Sequence, residues 1–157
     1  MRRRPAHDTI AISQTIEAPP EQVFAAWKDP QARALWGPPS DDEAIAFVET
    51  DFRVGGRDVH RCGPRHDLRF EVETHYHDIS APHRLLFTER VSTEGALLSV
   101  SLVTVTIDGN AEVSELDVTI QIASMVGTDM IDGTRGGWER ALAQLGQYAA
   151  KQRLGAD

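Results

Sequence analysis

The chain has 157 residues and a formal net charge of −8, with 41% hydrophobic and 25% charged residues. This length and composition are typical of one globular domain and exclude a disordered chain. The acidic balance argues against general nucleic-acid binding, and no apolar run approaches the roughly 20 residues of a transmembrane helix. We therefore expect neither nucleic acid nor a membrane as a partner.

The N-terminal sequence MRRRP is basic, but no continuous apolar segment follows it. We expect a flexible basic tail over residues 1–8 rather than a secretory signal. Cys62 is the only cysteine, which excludes an intrachain disulfide and favours a cytoplasmic protein. No nucleophile motif surrounds Cys62, so we interpret it as a small, half-buried residue. Residues 9–153 are predicted to form a single domain.

The chain begins with one predicted strand and two predicted short helices. Residues 9–17, TIAISQTIE, alternate apolar and polar side chains, which is the pattern of a half-buried strand. In the next segment, APPEQVFAAWKDP, prolines precede an apolar stripe of Val23, Phe24 and Trp27. This pattern predicts a helix that ends at Pro30, and a second short helix is predicted over QARALWG.

The middle of the chain is predicted to consist of strands separated by turns. The strand sequences are AIAFVETDF, RDVHRC, LRFEVETHYHDI, RLLFTERV, LLSVSLVTVTI and EVSELDVTIQI. The Gly55-Gly56 pair marks a turn or bulge after the first of them, and Asp108-Gly109-Asn110 marks a hairpin turn before the last. The short spacing predicts a largely antiparallel sheet of six to seven strands.

The strand LRFEVETHYHDI carries the residues that most suggest a metal site. Its alternation places Phe70, Val72, Thr74 and Tyr76 on one face and Arg69, Glu71, Glu73, His75 and His77 on the other. His75 and His77, with His60, His66 or His83 nearby and a carboxylate, have the ligand types that bind zinc or iron. However, they share a charged face that we expect to be exposed, and no spacing typical of a metal motif is present. We therefore expect no metal and no cofactor.

The last segment changes to a helical period, with an apolar stripe of Trp138, Ala141, Leu142, Leu145, Tyr148 and Ala149. Thr128 or Asp129 is predicted to cap its N-terminus, which places GTRGGW in the first turns of the helix. Each internal glycine costs about 1 kcal/mol relative to alanine, so these glycines need a reason. Because Gly137 lies beside Trp138 on the helical wheel, we expect it to face the sheet and to provide close packing or cavity space.

This order of elements predicts an α+β fold in which a curved antiparallel sheet wraps around the long C-terminal helix. Such an arrangement often leaves an apolar cavity between helix and sheet, where a small molecule would bind. The residues predicted to face it are Trp36, Phe47, Phe52, Phe70, Val72, Phe87, Glu89, Val103, Val105, Leu116, Val118, Met125, Met130, Gly137, Trp138 and Leu142. Of these, Met125, Met130 and Trp36 are expected to lie closest to a ligand, since they are near the ends of elements.

Four stretches resemble, in the same order, the SRPBCC superfamily of START-like, helix-grip proteins. They are IEAPPEQVFAAWKDPQARALWGP, DFRVGGR, SAPHRLLFTERV and RGGWERALAQL. Within this superfamily the chain is most similar to the AHSA-type family, the bacterial homologues of the activator of the ninety-kilodalton heat-shock-protein ATPase. The resemblance implies a helix-grip fold from about Ile10 to Gln152. It does not select one function, because members include ligand carriers, polyketide cyclase-like enzymes and chaperone-linked proteins.

Glu89 departs from this resemblance, because many relatives have an aromatic residue at that position. Alternation with Leu85 and Phe87 points Glu89 inward. A carboxylate there needs a partner, water at a cavity mouth or a raised pKa. The alternative is a position at a strand end from which the side chain reaches water.

Three functions stay open at this point. The first is binding of a small, mostly hydrophobic or aromatic molecule between helix and sheet. The second is an enzyme of cyclase, hydrolase or isomerase type that uses Glu89, or another carboxylate such as Glu49 or Asp51, as a general base. The third, implied by the resemblance, is a chaperone-linked stress-response or interaction module with a chaperone or a second copy of the chain as partner. We do not expect the separate N-terminal chaperone-binding domain of the eukaryotic activator within these 157 residues.

Overall fold

The computed structural model describes residues 4–155, with side chains described up to residue 152. Its elements are β1 (Ala6–Ile16), α1 (Pro20–Lys28), α2 (Pro30–Trp36), β2 (Glu43–Glu49), β3 (Arg57–Pro64), β4 (Phe70–Ser80), β5 (Arg84–Thr93), β6 (Ala96–Gly109), β7 (Ser114–Ser124) and α3 (Thr128–Gly155). Within the described range, seven strands form one antiparallel sheet in the order β1-β7-β6-β5-β4-β3-β2. This arrangement confirms the predicted α+β helix-grip fold.

Strand β1 starts earlier than the sequence pattern predicts. It begins at Ala6 rather than Thr9, because the segment from Ala6 to Asp8 pairs with the end of β7, where Ala6 lies opposite Ser124. Arg135 on α3 also donates to Asp8 at 3.0 Å. Residues 6–8 are therefore part of the sheet rather than of the predicted tail, and residues 1–3 lie outside the described part of the chain.

Local sequence signals set the two short helices. Pro20 occupies the first turn of α1, where a missing backbone N–H costs nothing because it has no helical partner. Asp29 ends α1 and caps α2, since its side chain accepts a hydrogen bond from the backbone N–H of Gln31 at 3.0 Å. The indole N–H of Trp36 donates to the carbonyl of Ala26 at 2.9 Å, which ties the two helices together.

The core lies between the concave face of the sheet and the three helices. Trp27 on α1 is at its centre, with ring-centroid distances of 5.3 Å to Trp36, 6.4 Å to Phe87 and 6.1 Å to Trp138. The inward side chains in the middle of β6 and β7 are apolar and buried: Val103, Val105, Ile107, Leu116, Val118, Ile120 and Ile122. Towards the strand ends the buried inward positions are serines: Ser99, Ser101, Ser114 and Ser124. Burial of these apolar side chains stabilises the packing of the helices against the sheet.

Helix α3 lies along one side of the concave face rather than over its centre. Most of its contacts with the sheet are to β1 and β7, and a Cβ at Gly146 would lie 3.5 Å from Ile16 of β1. Its other flank is fixed to the end of α2, because the amide of Gln144 donates to the carbonyls of Trp36 at 3.2 Å and Pro38 at 2.7 Å. The concave face of β2–β5 therefore extends beyond the part of the sheet on which α3 packs.

No helix in residues 4–155 has the length and apolar character needed to cross a membrane.

Candidate functional site

The concave side of β2–β6, beside α3, forms the candidate site, which we call the groove. Strand pairing places five side chains in one row across it, and these are Phe47, His60, Val72, Val91 and Ser99. The neighbouring row contains Asp58, Thr74, Glu89 and Ser101. The floor of the groove consists of buried side chains on β4 and β6: Val72, Thr74, Ser99 and Ser101. Its partly exposed residues are Phe47, His60, Glu89 and Val91.

The flank of α3 beside the groove carries glycines in place of side chains. Gly133 and Gly137 are one helical turn apart, and a Cβ added at either residue would meet no atom within 4 Å. Gly137 is half-buried, and its neighbour Trp138 points into the core against Trp27. The two alternatives predicted for Gly137 were close packing and cavity space; these open surroundings exclude close packing, and cavity space stays a prediction.

The segment of α3 that contains the two glycines lies at the same height along the strands as Glu89. Arg135, between the two glycines, pairs with Asp8, and Asp8 lies opposite Ile122 on β7. Ile122 lies opposite Ser101, which in turn lies opposite Glu89 on β5. The glycine flank and the Glu89 carboxylate therefore belong to the same level of the groove.

Glu89 points inward from the middle of β5, as its alternation with Leu85 and Phe87 predicts, and not from a strand end. Within residues 4–152 its carboxylate has no hydrogen-bond or ion-pair partner. Burial raises the pKa of this carboxyl from 4.5 to about 7. The pKa of the Cys62 thiol rises to about 12, first through burial and then through the charge of Glu89. Cys62 is half-buried, as predicted, and its thiol stays protonated.

Two further polar atoms of the groove are buried without a partner in the described part of the chain, Ser99 Oγ and His60 Nδ1. The His60 ring lies 5.2 Å from the ring of Phe47. Burial, and then the charge of Arg33, lower the pKa of His60 to about 4, so the imidazole is neutral at physiological pH. Buried polar atoms normally have hydrogen-bond partners, so these two mark the groove as a place where water or a ligand is needed.

An ion pair closes one end of the groove. Arg33 of α2 donates to Asp58 at 3.0 Å and to the Tyr76 hydroxyl at 3.3 Å, and the backbone N–H of Asp51 also donates to Asp58 at 2.7 Å. The guanidinium carbon lies 4.4 Å from the ring centroid of Phe47, a cation–π distance. Sequence reasoning missed this cluster, although the alternation of Asp58 with His60 and Cys62 along β3 was a signal that a carboxylate points inward.

The sixteen predicted ligand-contacting residues divide into two groups of equal size. The buried ones belong to the core and are Trp36, Val72, Phe87, Val103, Val105, Leu116, Val118 and Leu142. The half-buried ones are Phe47, Phe52, Phe70, Glu89, Met125, Met130, Gly137 and Trp138. Trp36, which we expected close to a ligand, is instead buried against Trp27, and Phe52 contacts the rings of Phe24 and Tyr76. A ligand-binding role for any of these residues stays a prediction.

Four residues considered for chemistry lie outside the groove, namely His75, His77, Glu49 and Asp51. His75 and His77 are exposed on the opposite face, where they contact Glu73 at 3.0 Å and Thr88 at 3.1 Å. His60 faces the groove and is therefore not near them. In the described range no three His, Cys, Asp or Glu residues are grouped closely enough to bind a metal ion. Glu49 and Asp51 form ion pairs with arginines at the surface, each at 2.9 Å.

Comparison with known proteins identifies the family. Residues 17–150 match the family described as "Activator of Hsp90 ATPase homolog 1-like protein". Among solved structures, a protein from Rhizobium loti is 27% identical with a TM-score of 0.80 and 93% of this chain and 99% of that chain aligned. A protein from Chromobacterium violaceum is 25% identical with a TM-score of 0.78 and coverage of 90% and 96%.

The AHSA1-like protein from Aeromonas hydrophila is 24% identical with a TM-score of 0.71 over 96% of each chain, which supports the fold. No curated protein has a significant match to this sequence. The family match covers most of the chain, from the end of β1 to the last turns of α3. The chain therefore belongs to the family of activator of Hsp90 ATPase homolog 1-like proteins.

Proposed function

We propose that the protein binds a small, mostly hydrophobic or aromatic molecule in the groove between α3 and strands β2–β6. The observation that carries this proposal is the open glycine flank of α3. A helix that keeps Gly133 and Gly137, where side chains would meet nothing, gives up helix stability without any gain in packing. Space for a bound molecule supplies the missing reason.

The side chains around that space suit an apolar ligand with a polar end. Phe47, Val91 and Met130 are half-buried apolar residues, so a bound ring would remove their remaining exposed surface from water. Glu89 and the unpartnered atoms of His60 and Ser99 supply a few polar positions among them. Ligand sites commonly combine a mostly apolar wall with a small number of polar groups.

A pair of leucine variants on α3 tests this proposal with the neutral fluorescent probe N-phenyl-1-naphthylamine. Gly137→Leu places a side chain beside the groove, whereas Ala143→Leu enlarges one at an exposed position of the same helix outside the glycine flank. We expect Gly137→Leu to weaken probe binding about tenfold or more and Ala143→Leu to change it less than about threefold. Gly137→Leu should unfold at a temperature at or above that of the wild type, since it removes a helix glycine, and Ala143→Leu should unfold close to the wild type. Equal probe binding by both variants would contradict the proposal.

Native mass spectrometry of protein purified from cells gives a second test. A molecule that co-purifies with the wild type and is lost from Gly137→Leu would identify the ligand. A molecule retained equally by both proteins would place its binding elsewhere.

One observation also favours an enzyme as a second candidate. A carboxyl with a pKa of about 7 matches what a general base requires near neutral pH. If this function is correct, wild-type protein should convert the co-purified molecule to a product, and Glu89→Gln should not. Conversion by both proteins would assign the chemistry to another group.

The chaperone-linked role, a homodimer and a cytoplasmic location rest on the family and on composition, and they stay predictions. A pull-down that recovers no heat-shock chaperone would weaken the first of them.

A further inference from the structure

We infer that Glu89 makes the groove selective for ligands that carry a positively charged amine at one end of an apolar body. In this arrangement the ammonium group donates hydrogen bonds to the Glu89 carboxylate while the apolar part lies between the glycine flank of α3 and the aromatic side of the groove. The inference rests on the proposed function, because it names the chemical class that the same groove would take.

The first argument is the missing counter-charge of Glu89. Half-buried carboxylates are normally paired with a cation or with several hydrogen-bond donors, and Glu89 has neither within residues 4–152. Arg33, at the end of the groove, pairs through Nη1 with Asp58 and lies over the ring of Phe47, while its Nε and Nη2 are buried without a partner, so this guanidinium does not pair with Glu89. A ligand ammonium would therefore supply the charge that the described chain does not.

The second argument is the chemistry of the side chains beside Glu89. Its cross-strand neighbours are Thr74 on β4 and Ser101 on β6, and Ser99 on the next row has a buried, unpartnered Oγ. Hydroxyl oxygens accept hydrogen bonds as readily as they donate them. An ammonium group has three donors and no acceptor, so it matches a carboxylate flanked by hydroxyl groups better than a ligand carboxylate would.

Glu89 is the group to follow between pH 6 and pH 8, because the pKa values of its two titratable neighbours on β3 lie outside that range. On β3, the pKa of the Cys62 thiol is about 12 and that of His60 is about 4. Glu43 on β2 accepts a hydrogen bond from Ser40 at 3.0 Å, and the Arg33 ion pair lies at the end of the groove. On α3, Asp129 lies one turn before Gly133 and Arg140 one turn after Gly137, and the positions that face Glu89 on β4 and β6 are Thr74 and Ser101.

Isothermal titration calorimetry with three probes that share a naphthalene ring system and differ in their polar group tests the inference. The probes are 1-naphthylmethylamine, 1-naphthylmethanol and 1-naphthoate, and the proteins are the wild type, Glu89→Gln and Glu71→Gln. Glu71 is an exposed carboxylate on the opposite face of β4, so its variant controls for the loss of one negative charge.

At pH 8 we expect the wild type to bind the amine about tenfold or more tightly than the alcohol, with the carboxylate weakest. Glu89→Gln should lose about tenfold in affinity for the amine and less than about threefold for the alcohol, and Glu71→Gln should behave as the wild type. In the wild type, affinity for the amine should fall about tenfold from pH 8 to pH 6 as Glu89 becomes protonated, and Glu89→Gln should lack this dependence.

The outcomes separate the inference from the proposed function. Equal binding of the three probes by the wild type, or equal losses in the two variants, would overturn the role of Glu89 and leave groove binding intact. If no probe binds while all three proteins are folded by circular dichroism, groove binding fails and the amine selectivity fails with it.

Discussion

Replacing Glu89 with glutamine should stabilise the protein, and by an amount that grows with pH. The ordinary pKa of a glutamate carboxyl in the unfolded chain is near 4.5, and burial on the concave face raises the pKa of Glu89 to about 7. Folding therefore disfavours the charged form, so the native state holds a proton that the unfolded state has lost between these two pH values. In this range the free energy of unfolding of the wild type decreases as pH rises.

The size of the effect follows from the two pKa values. A rise in the pKa of the Glu89 carboxyl from 4.5 to about 7 corresponds to a cost of about 1 kcal/mol at pH 5 and about 3 kcal/mol at pH 8. Glutamine has nearly the same shape and no charge, so it escapes this cost. We expect the free-energy advantage of Glu89→Gln over the wild type to increase by about 2 kcal/mol between pH 5 and pH 8.

Urea denaturation of both proteins at a series of pH values from 5 to 8 measures this difference. The slope of free energy against urea concentration should be equal in the two proteins, so that the midpoints report stability alone. Glu71→Gln, at an exposed position, should show no comparable change with pH. A Glu89→Gln variant whose advantage is constant across this range, or negative throughout it, would refute the assignment of Glu89 as a desolvated, unpartnered carboxylate.

Three further substitutions test the parts of the fold that shape the groove. Asp58→Ala leaves the guanidinium of Arg33 buried without its counter-ion and should reduce the free energy of unfolding by about 3–5 kcal/mol. Tyr76→Phe removes two hydrogen bonds, the one donated to Asp58 and the one accepted from Arg33, and should cost about 2 kcal/mol. Chemical denaturation compares the two, and equal losses would mean that the ion pair contributes no more than the hydroxyl. Gly56→Ala places a Cβ 2.2 Å from the backbone carbonyl of Asp51, so it should destabilise the protein by at least about 2 kcal/mol, and a melting temperature equal to that of the wild type would contradict this.

Side-chain alternation was sufficient to predict which residues share a face. Glu89 follows Leu85 and Phe87 onto the inner face of β5, while His75 and His77 point outward from β4. These assignments depend on the two-residue period of a strand, which is a property of the backbone and needs no knowledge of neighbouring strands. The same reasoning predicted the order of elements and the two proline-led helices.

The ends of the strands and the contacts between residues far apart in the sequence were harder to predict from the sequence alone. The sequence around Ala6 has no strand signal of its own, and that residue is extended because the end of β7 provides it with hydrogen-bond partners. Arg33 and Asp58 are 25 positions apart, and no local pattern shows that α2 places the first above the second. Such contacts depend on the packing of whole elements, which local periodicity does not encode.

The sequence by itself therefore determined the class of fold, the faces of the strands and the presence of glycines within a helix. Only the tertiary structure decided what those glycines do. Because α3 packs over β1 and β7 and is held to α2 through Gln144, its glycine flank lies beside an open part of the concave face and not against a strand. The physical reason is that helical periodicity fixes which residues lie on one side of a helix, whereas the position of the helix on the sheet is fixed by packing against all of its neighbours.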